Sequence, residues 1–165
     1  DPRDIIASHG SDAMRFTLCQ MTTQTQDVRM PMVKDPATGR NTSPKFDLGR
    51  NFSNKLWNAA RFTMSMLGVS SHPTSDIPHP TSLIDRWMLS RLATATKEVN
   101  DAIGNFEYSN YAQTMYDLLW RDFCDWYLEA IKPTIASDKS QQAVLSTTLE
   151  CILRLLHPIT PFMTE

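Results

Sequence analysis

Apolar residues recur every three or four positions along four long stretches of the chain, and this spacing predicts helices. In the clearest of them Trp87, Met88, Leu92, Ala95 and Val99 form one stripe. The predicted long helices span 47–67, 81–103, 109–131 and 140–157. Because short breaks separate the last three, we predict an all-α protein, an antiparallel helical bundle with a small N-terminal helical and extended appendage.

The N-terminal quarter is less regular. Asp1 is predicted to cap a short helix and Pro2 to be its first residue. We predict that this helix stops at Gly10, with Gly10 in the left-handed helical conformation. Ser11 or Asp12 is then expected to cap a second helix through Met21. The alternation of apolar residues in 27–33 predicts a short edge strand, and the Asp-Pro, Thr-Gly and Ser-Pro pairs of 35–44 predict a surface loop.

Composition narrows the class of protein. The chain has 165 residues and a formal charge of −2, enough for one domain with a real core. Its cysteines, Cys19, Cys124 and Cys151, lie in separate segments with no Cys-x-x-Cys pair, which favours a reduced, cytoplasmic protein. The sequence has neither an apolar run long enough to span a membrane nor the pattern of a signal peptide. Its last residues are typical of the start of a helix. We therefore expect a soluble piece of a longer protein.

Catalytic and metal sites are not predicted. The sequence has no phosphate-cradling glycine loop, no His-Glu-x-x-His motif and no nucleophile elbow. His72 and His79 could share a metal ion, but a solvated linker at 70–80 is the simpler interpretation, since zinc needs three or four ligands. Asp122, Asp125 and Glu129 could form an acid/base cluster, but a solvated helix face is favoured. We expect no cofactor and no metal in this chain.

The helix over 51–67 has an unusual polar face. We place Phe52 at an angle of zero around the helix axis and advance by about 100° per residue. One side of the helix is then predicted to be buried, with Trp57 on its border at about 140°. The residues of this side are Phe52, Leu56, Ala59, Ala60, Thr63, Met64, Met66 and Leu67. The opposite arc carries Asn51, Asn54, Lys55, Asn58, Arg61 and Ser65. Phe62 falls among these polar residues, near about 280°.

The charge is also uneven here. Residues 40–62 contain five basic residues and one acidic residue, a net charge of +4 in a chain whose total is −2. Amides can read base edges, cations can meet phosphates and an aromatic ring can stack on a base, so this face suits unpaired RNA. Two alternatives remain from the pattern alone. Phe62 could pack against a neighbouring element, or this face could bind a partner helix in a protein-interaction module.

Several motifs resemble those of the valyl-tRNA synthetases. The segments are 10–16 (Gly-Ser-Asp-Ala-Met-Arg-Phe), 26–29 (Gln-Asp-Val-Arg), 49–62 (Gly-Arg-Asn-Phe-Ser-Asn-Lys-Leu-Trp-Asn-Ala-Ala-Arg-Phe), 85–87 (Asp-Arg-Trp), 123–129 (Phe-Cys-Asp-Trp-Tyr-Leu-Glu) with Lys132-Pro133, and 156–162 (Leu-His-Pro-Ile-Thr-Pro-Phe). They cover nearly the whole chain in family order. Leucyl and isoleucyl enzymes share the plan, but 49–62 and 123–129 are closer to the valyl pattern.

The resemblance implies a position within a larger enzyme. Residues 1–46 resemble the end of the stem-contact fold and its connecting loop, and 47–165 resemble the helical anticodon-binding domain, truncated at its C-terminus. The family's ATP-binding signatures lie in a catalytic domain and are absent here. The implied partners are the anticodon arm of valine tRNA and the remaining domains of the enzyme, without membrane or DNA. The chain alone is expected to be inactive, and ATP belongs to the parent catalytic domain. The loop 35–44 is longer than the usual turn of the family.

The resemblance and the helix face together give a predicted RNA-binding set. Phe62 is expected to stack on a base and Asn54 or Asn58 to read a base edge, while Lys55 and Arg61 supply charge. Asn51 completes this face. Lys45 and Arg50 are assigned to phosphates, and Arg15, with Arg29, to the stem of the tRNA.

Overall fold

The all-α class is confirmed by the computed structural model, which describes residues 1–23, 25–67, 80 and 82–165. The elements are α1 (Pro2–His9), α2 (Ser11–Met21), β1 (Val33–Lys34), β2 (Asn41–Thr42), α3 (Phe46–Leu67), α4 (Leu83–Gly104), α5 (Tyr108–Asp117), a π-helical segment π1 (Leu118–Tyr127), α6 (Leu128–Ile131), α7 (Lys139–Leu156) and α8 (Pro161–Thr164). The long helices thus agree with prediction to within a residue or two. The linker 70–80, with both of its histidines, lies outside the described residues apart from Pro80.

Local capping explains where the outer helices begin. The Asp1 carboxylate accepts a hydrogen bond from the Arg3 N–H at 2.9 Å, as predicted. The helix α7 begins in the same way, because the Asp138 carboxylate accepts from the Gln141 N–H at 3.0 Å. Gly10 has φ 89° but ψ 155°, so the expected left-handed helical stop was wrong, although the positive φ still suits glycine.

The predicted strand over 27–33 was also wrong. Only Val33 of that stretch is in a strand, β1, which pairs antiparallel with β2 in the register Val33 to Thr42 and Lys34 to Asn41. Part of the expected loop 35–44 is therefore strand. The tight turn between the strands fixes the register, since the Asp35 carboxylate accepts from the Thr38 hydroxyl at 2.6 Å and Gly39 has φ 68°.

One hydrophobic core joins the N-terminal helices to the bundle. The rings of Phe16 in α2 and Phe52 in α3 stack 4.0 Å apart at an interplanar angle of 10°. Both side chains are completely buried, and they belong to the same apolar cluster as Leu119, Val144 and Ile152. The candidate face of α3 therefore has a rigid support behind it.

The crossing of α2 and α3 depends on Gly49. A Cβ atom at this position would lie 2.2 Å from the Ala13 carbonyl oxygen and 2.5 Å from the Thr17 hydroxyl oxygen. These contacts are too short for any side chain, so glycine is required for the backbones of the two helices to approach this closely.

A second joint ties α2 to the end of the bundle. The Arg15 guanidinium donates to the Pro158 carbonyl at 2.8 Å and to the Ile159 carbonyl at 3.1 Å. The buried Asp12 carboxylate accepts from the Met163 N–H at 2.7 Å, in the first turn of α8. Neither Ser11 nor Asp12 caps α2 with its side chain, so that prediction was wrong. Asp12 instead satisfies the N-terminus of a different helix.

The predicted fourth helix is continuous in path but changes type along its length. Its middle part, π1, has the i→i+5 hydrogen bonding that adds a residue to each turn and shifts which side chains face inward. Asp122 is one result. It is buried, where a solvated side chain was expected, and its carboxylate binds Arg91 and Arg121, each at 2.9 Å. The favoured solvated face is therefore confirmed for Asp125 and Glu129, which are exposed, and wrong for Asp122.

The buried carboxylate of Asp85 links three helices. Asp85 of α4 accepts from the Tyr127 hydroxyl at 2.7 Å and from the Gln141 amide at 3.5 Å. Burial is the main cause that raises the pKa of Asp85 above its ordinary value, and the two hydrogen bonds act in the opposite direction.

The turn between α4 and α5 contains a strained residue. Phe106 has φ 60°, and the neighbouring Glu107 N–H donates to the Ala102 carbonyl at 2.8 Å in the arrangement that usually places glycine at this position. The side chain of Phe106 is 74% exposed, so its burial does not offset the strain.

Candidate RNA-binding surface

The exposed face of α3 carries the predicted RNA-binding residues. Phe52, Leu56, Ala59 and Thr63 are buried on the opposite side, which confirms the direction of the predicted helix face. Met64 was assigned to the buried side, yet it is 66% exposed. Met64 lies at the edge of the predicted arc, where neighbouring elements do not cover it.

Eight residues of this face form two rows, because side chains four and then three residues apart lie above one another on a helix. Seven of them are exposed, and Lys55 is half-buried. We call the first the Phe62 row, and it consists of Asn51, Lys55, Asn58 and Phe62. We call the second the Trp57 row, and it consists of Arg50, Asn54, Trp57 and Arg61. Each row is about 16 Å long from its first residue to its last.

The Phe62 row borders π1 and α6. The Lys55 ammonium binds the Asp125 carboxylate at 3.1 Å and lies 4.8 Å from the centre of the Trp120 ring. Both partners come from π1, so Lys55 is held between a carboxylate and an aromatic face. A phosphate that approaches Lys55 therefore has to replace Asp125.

Phe62 is only partly covered. Its side chain is 39% exposed, and the Lys132 ammonium lies over the ring, 5.5 Å from its centre. Lys132 in turn binds both carboxylate oxygens of Glu129 at 2.6 Å. Phe62 is thus not a core residue, and the expectation that it is accessible on α3 is confirmed.

Free polar groups lie along the same face of α3 as Phe62. Asn51, Asn54 and Asn58 are exposed, and their amides have no hydrogen-bond partner within the part of the chain that the structure describes. Over the same residues the Arg61 guanidinium has no ion-pair partner. These four groups are available to a ligand without the loss of an existing contact.

The Trp57 row turns towards the N-terminal helices. Arg50, Asn54 and Trp57 line an open cavity of about 330 Å³, together with the first residues of α2 and with Phe162. Trp57 itself is 55% exposed, so its predicted position on the border of the buried side underestimated its exposure.

Arg50 is remote from Phe62. It binds the Asp47 carboxylate at 2.6 Å and lies about 18 Å from Phe62 along the helix axis. It also lines a larger cavity of about 490 Å³ between α1, the β hairpin and the start of α3. Because Asp4 and Asp35 line that cavity as well, it has no excess of positive charge.

The other predicted cations lie apart from this surface. Lys45 and Arg29 are exposed, and neither has an ion-pair partner among residues 1–23, 25–67, 80 and 82–165. Arg15 is occupied by the joint to Pro158 and Ile159, so the structure gives it a role in holding the fold together. A contact of Arg15, Arg29 or Lys45 with RNA stays a prediction.

Lys132 and Trp120 are neighbours of the site that the sequence reasoning did not find. Lys132 entered the sequence analysis only as part of the Lys132-Pro133 pair of the family motif, with no role at the RNA-binding face. Its proximity to Phe62 depends on the path of π1 and α6, and helical periodicity does not predict that path. Trp57 did give a signal, since its position on the helix was near the edge of the polar arc.

The described ranges, which omit 24, 68–79 and 81, show neither a membrane-spanning helix nor a metal-binding cluster. No helix in them is long and apolar enough to cross a membrane. The same ranges contain no cluster of three or more His, Cys, Asp or Glu residues that could hold a metal ion.

Comparison with known proteins finds similarity to tRNA ligases. Residues 85–165 match the family described as the anticodon-binding domain of tRNA ligase. The whole chain is 37% identical to a segment of the valine–tRNA ligase of Rhodopirellula baltica, of which it covers 20%. It is 38% identical over its whole length to the valine–tRNA ligases of Lactiplantibacillus plantarum and Thermotoga maritima, and covers 18% of each.

The chain therefore spans about a fifth of the length of these curated relatives. Residues 85–165 are thus similar to the anticodon-binding domains of tRNA ligases, and the chain as a whole is similar to one segment of the valine–tRNA ligases.

Proposed function

We propose that this chain binds the anticodon arm of valine tRNA, as the RNA-recognition part of a valine–tRNA ligase. The names of its relatives support the class of partner. The observation that carries the proposal is the Phe62 row, in which a half-open aromatic ring follows two exposed amides and a lysine on one helix face. Aromatic rings, amides and cations are the groups that bind unpaired, splayed bases.

Each group has a distinct role in this proposal. Phe62 stacks on a loop base, and the free amide of Asn58 or Asn54 donates to and accepts from a base edge. Arg61 needs no rearrangement to meet a phosphate, since it has no ion-pair partner among the described residues. Lys55 exchanges its ion pair with Asp125 for a phosphate, which has a small cost in binding free energy. A ligand that also stacks on Phe62 offsets this cost, whereas a ligand that cannot stack there does not.

The proposal assigns recognition to this chain and chemistry to the rest of the enzyme. Attachment of valine to its tRNA with ATP would take place in the other domains of such a ligase, in the cytoplasm. The partners are valine tRNA and those domains, and neither DNA nor a membrane is among them. In this proposal the chain itself holds no cofactor.

Salt and sugar chemistry test the class of ligand. We expect the protein to bind an RNA hairpin with the loop of a valine tRNA anticodon arm, with an affinity that falls steeply as salt is raised. A DNA hairpin of the same sequence should bind more weakly, because it lacks the 2′-hydroxyl groups. If the protein binds neither hairpin, or binds both equally, the proposal is wrong. The alternative, a partner helix on the Phe62 face, predicts no RNA binding.

Substitution of Phe62 tests the site. Phe62→Ala should weaken RNA binding by roughly 1 to 3 kcal/mol, the cost of one lost stacked base, and change the free energy of unfolding by about 1 kcal/mol. Phe106→Ala removes a more exposed phenylalanine from another part of the molecule, so it should leave RNA binding unchanged. Leu56→Ala, in the core behind Phe62, should cost about 2 to 5 kcal/mol of stability. A Phe62→Ala protein that unfolds far more easily yet binds RNA normally would remove Phe62 from the site.

A further inference from the structure

Lys132 lies outside the predicted RNA-binding set, but its contact with Phe62 gives it a part in the same site. We propose that Lys132, held by Glu129, is a positioning residue that covers one face of the Phe62 ring and directs an RNA base to the other face. This inference rests on the proposed function, since it describes how Phe62 is prepared for stacking.

The position of Lys132 is fixed by its neighbours in the chain. Ile131 is completely buried and Ile135 is nearly so, which anchors the backbone on both sides of Lys132. The backbone of Lys132 is helical, with φ −46° and ψ −43°, so it continues the path of α6 although Pro133 follows. The Glu129 carboxylate binds the ammonium with both oxygens at 2.6 Å, so the long side chain is held in one direction.

Phe62 is anchored in the same manner. Ala59 and Thr63, which flank it on α3, are both buried, and they fix the rotation of the helix. With the ammonium 5.5 Å from the ring centre and the side chain 39% exposed, one face of the ring is occupied and part of the ring stays open. A base can reach only the open part without displacing an ion pair.

The charge on the covered face also favours stacking on the open face. The face of an aromatic ring is the negative part of its quadrupole, so two parallel π systems repel electrostatically. A cation on one side of the ring is attracted to that negative face and offsets the repulsion felt on the other side. In this proposal Lys132 therefore makes the exposed part of the ring a better partner for a base.

A double-mutant cycle separates this role from a direct phosphate contact. The variants are Lys132→Met, Phe62→Ala and their combination, titrated with the RNA hairpin of a valine tRNA anticodon arm at several salt concentrations. Lys132→Met should weaken binding about three- to fivefold, the value of an exposed cation–π contact. In the Phe62→Ala background the same substitution should have no further effect. Lys132→Arg, which can also lie over the ring, should restore binding.

Lys97→Met is the matched control. Lys97 is exposed on α4, which packs against α5, α7 and π1, and its loss changes the total charge equally. It should leave binding of the hairpin within about twofold of the parent, and thermal melting should show all of these surface variants folded.

The results that would overturn the role of Lys132 differ from the result that would refute the proposed function. If Lys132→Met weakens binding equally with and without Phe62 and lowers the salt slope by about one, Lys132 binds a phosphate and the inference is overturned. It is also overturned if Lys132→Met binds like the parent while Phe62→Ala binds weakly. If Phe62→Ala binds like the parent, stacking on Phe62 fails, and the role of Lys132 fails with it. Absence of binding by the parent protein refutes the proposed function itself.

Discussion

Replacement of Gly49 by alanine tests whether the close crossing of α2 and α3 supports the fold. The new Cβ would lie 2.2 Å from the Ala13 carbonyl oxygen, whereas such contacts are essentially never shorter than 3.0 Å. The obstructing atom is backbone, so it cannot rotate away, and α2 has to move by about 1 Å. Such overpacking typically costs about 1 to 3 kcal/mol, and alanine returns up to about 1 kcal/mol through its higher helix propensity.

We therefore expect Gly49→Ala to lower the free energy of unfolding by about 1 kcal/mol and the melting temperature by about 2 to 4 °C. The movement should also disturb the stacked rings of Phe16 and Phe52, which lie 4.0 Å apart at the same crossing. Thermal melting followed by circular dichroism measures the first effect. Near-ultraviolet circular dichroism reports on the aromatic packing.

Gly104 provides a matched control for the same substitution. It also lies in a helix, at the end of α4, but a Cβ atom there would have no neighbour within 4 Å. Gly104→Ala should therefore raise stability by about 0.5 kcal/mol, because alanine restricts the unfolded chain. If Gly49→Ala melts at or above the parent temperature, or if both variants shift in the same direction, the reasoning from helix contact is refuted.

Three further predictions concern other residues that affect the stability of the fold. Arg15→Ala removes two charged hydrogen bonds to backbone carbonyls and should lower the free energy of unfolding by about 2 kcal/mol, as measured by urea titration. Phe106→Gly relieves the positive φ and should raise stability by about 0.5 to 1 kcal/mol, so a clear loss in thermal melting would contradict the strain. Asp85→Asn should change the pH dependence: because the folded-state pKa of Asp85 is raised, the parent loses stability relative to the variant as pH rises from about 4 through that value. Urea titrations from pH 4 to 7 that keep a constant difference between the two proteins would argue against this.

The sequence predicted those features that depend on neighbouring residues. Asp1-Pro2 begins α1 and Pro161 begins α8 because capping and proline geometry act within one turn. The face of α3 that carries Phe62 followed from helical periodicity, since Phe52 and Leu56 are buried on the opposite side.

Features that depend on distant partners were not predictable in this way. Asp12 has the sequence position of a helix cap, yet its carboxylate binds Met163, which is 151 residues away. Arg15 was assigned to the stem of the tRNA, and its hydrogen bonds to the carbonyls of 158 and 159 were not foreseen. A single sequence does not show such pairings.

Regular periodicity also fails where the helix type changes. The inward position of Asp122 and the approach of Lys132 to Phe62 both follow π1, in which the turn contains an additional residue. A helical wheel of constant pitch loses its register across this segment. The half of the candidate site on α3 could therefore be predicted, whereas the half contributed by π1 and α6 could not.

The central claim is that the Phe62 row reads the anticodon loop, and one comparison of affinities tests it most directly. The protein is titrated with valine tRNA and with the same tRNA in which only the anticodon bases are replaced, at one fixed salt concentration. Loss of one good base contact is worth about 1 to 3 kcal/mol, so we predict binding of the altered tRNA that is weaker by about tenfold or more. Equal affinities for the two tRNAs would contradict anticodon recognition by this chain.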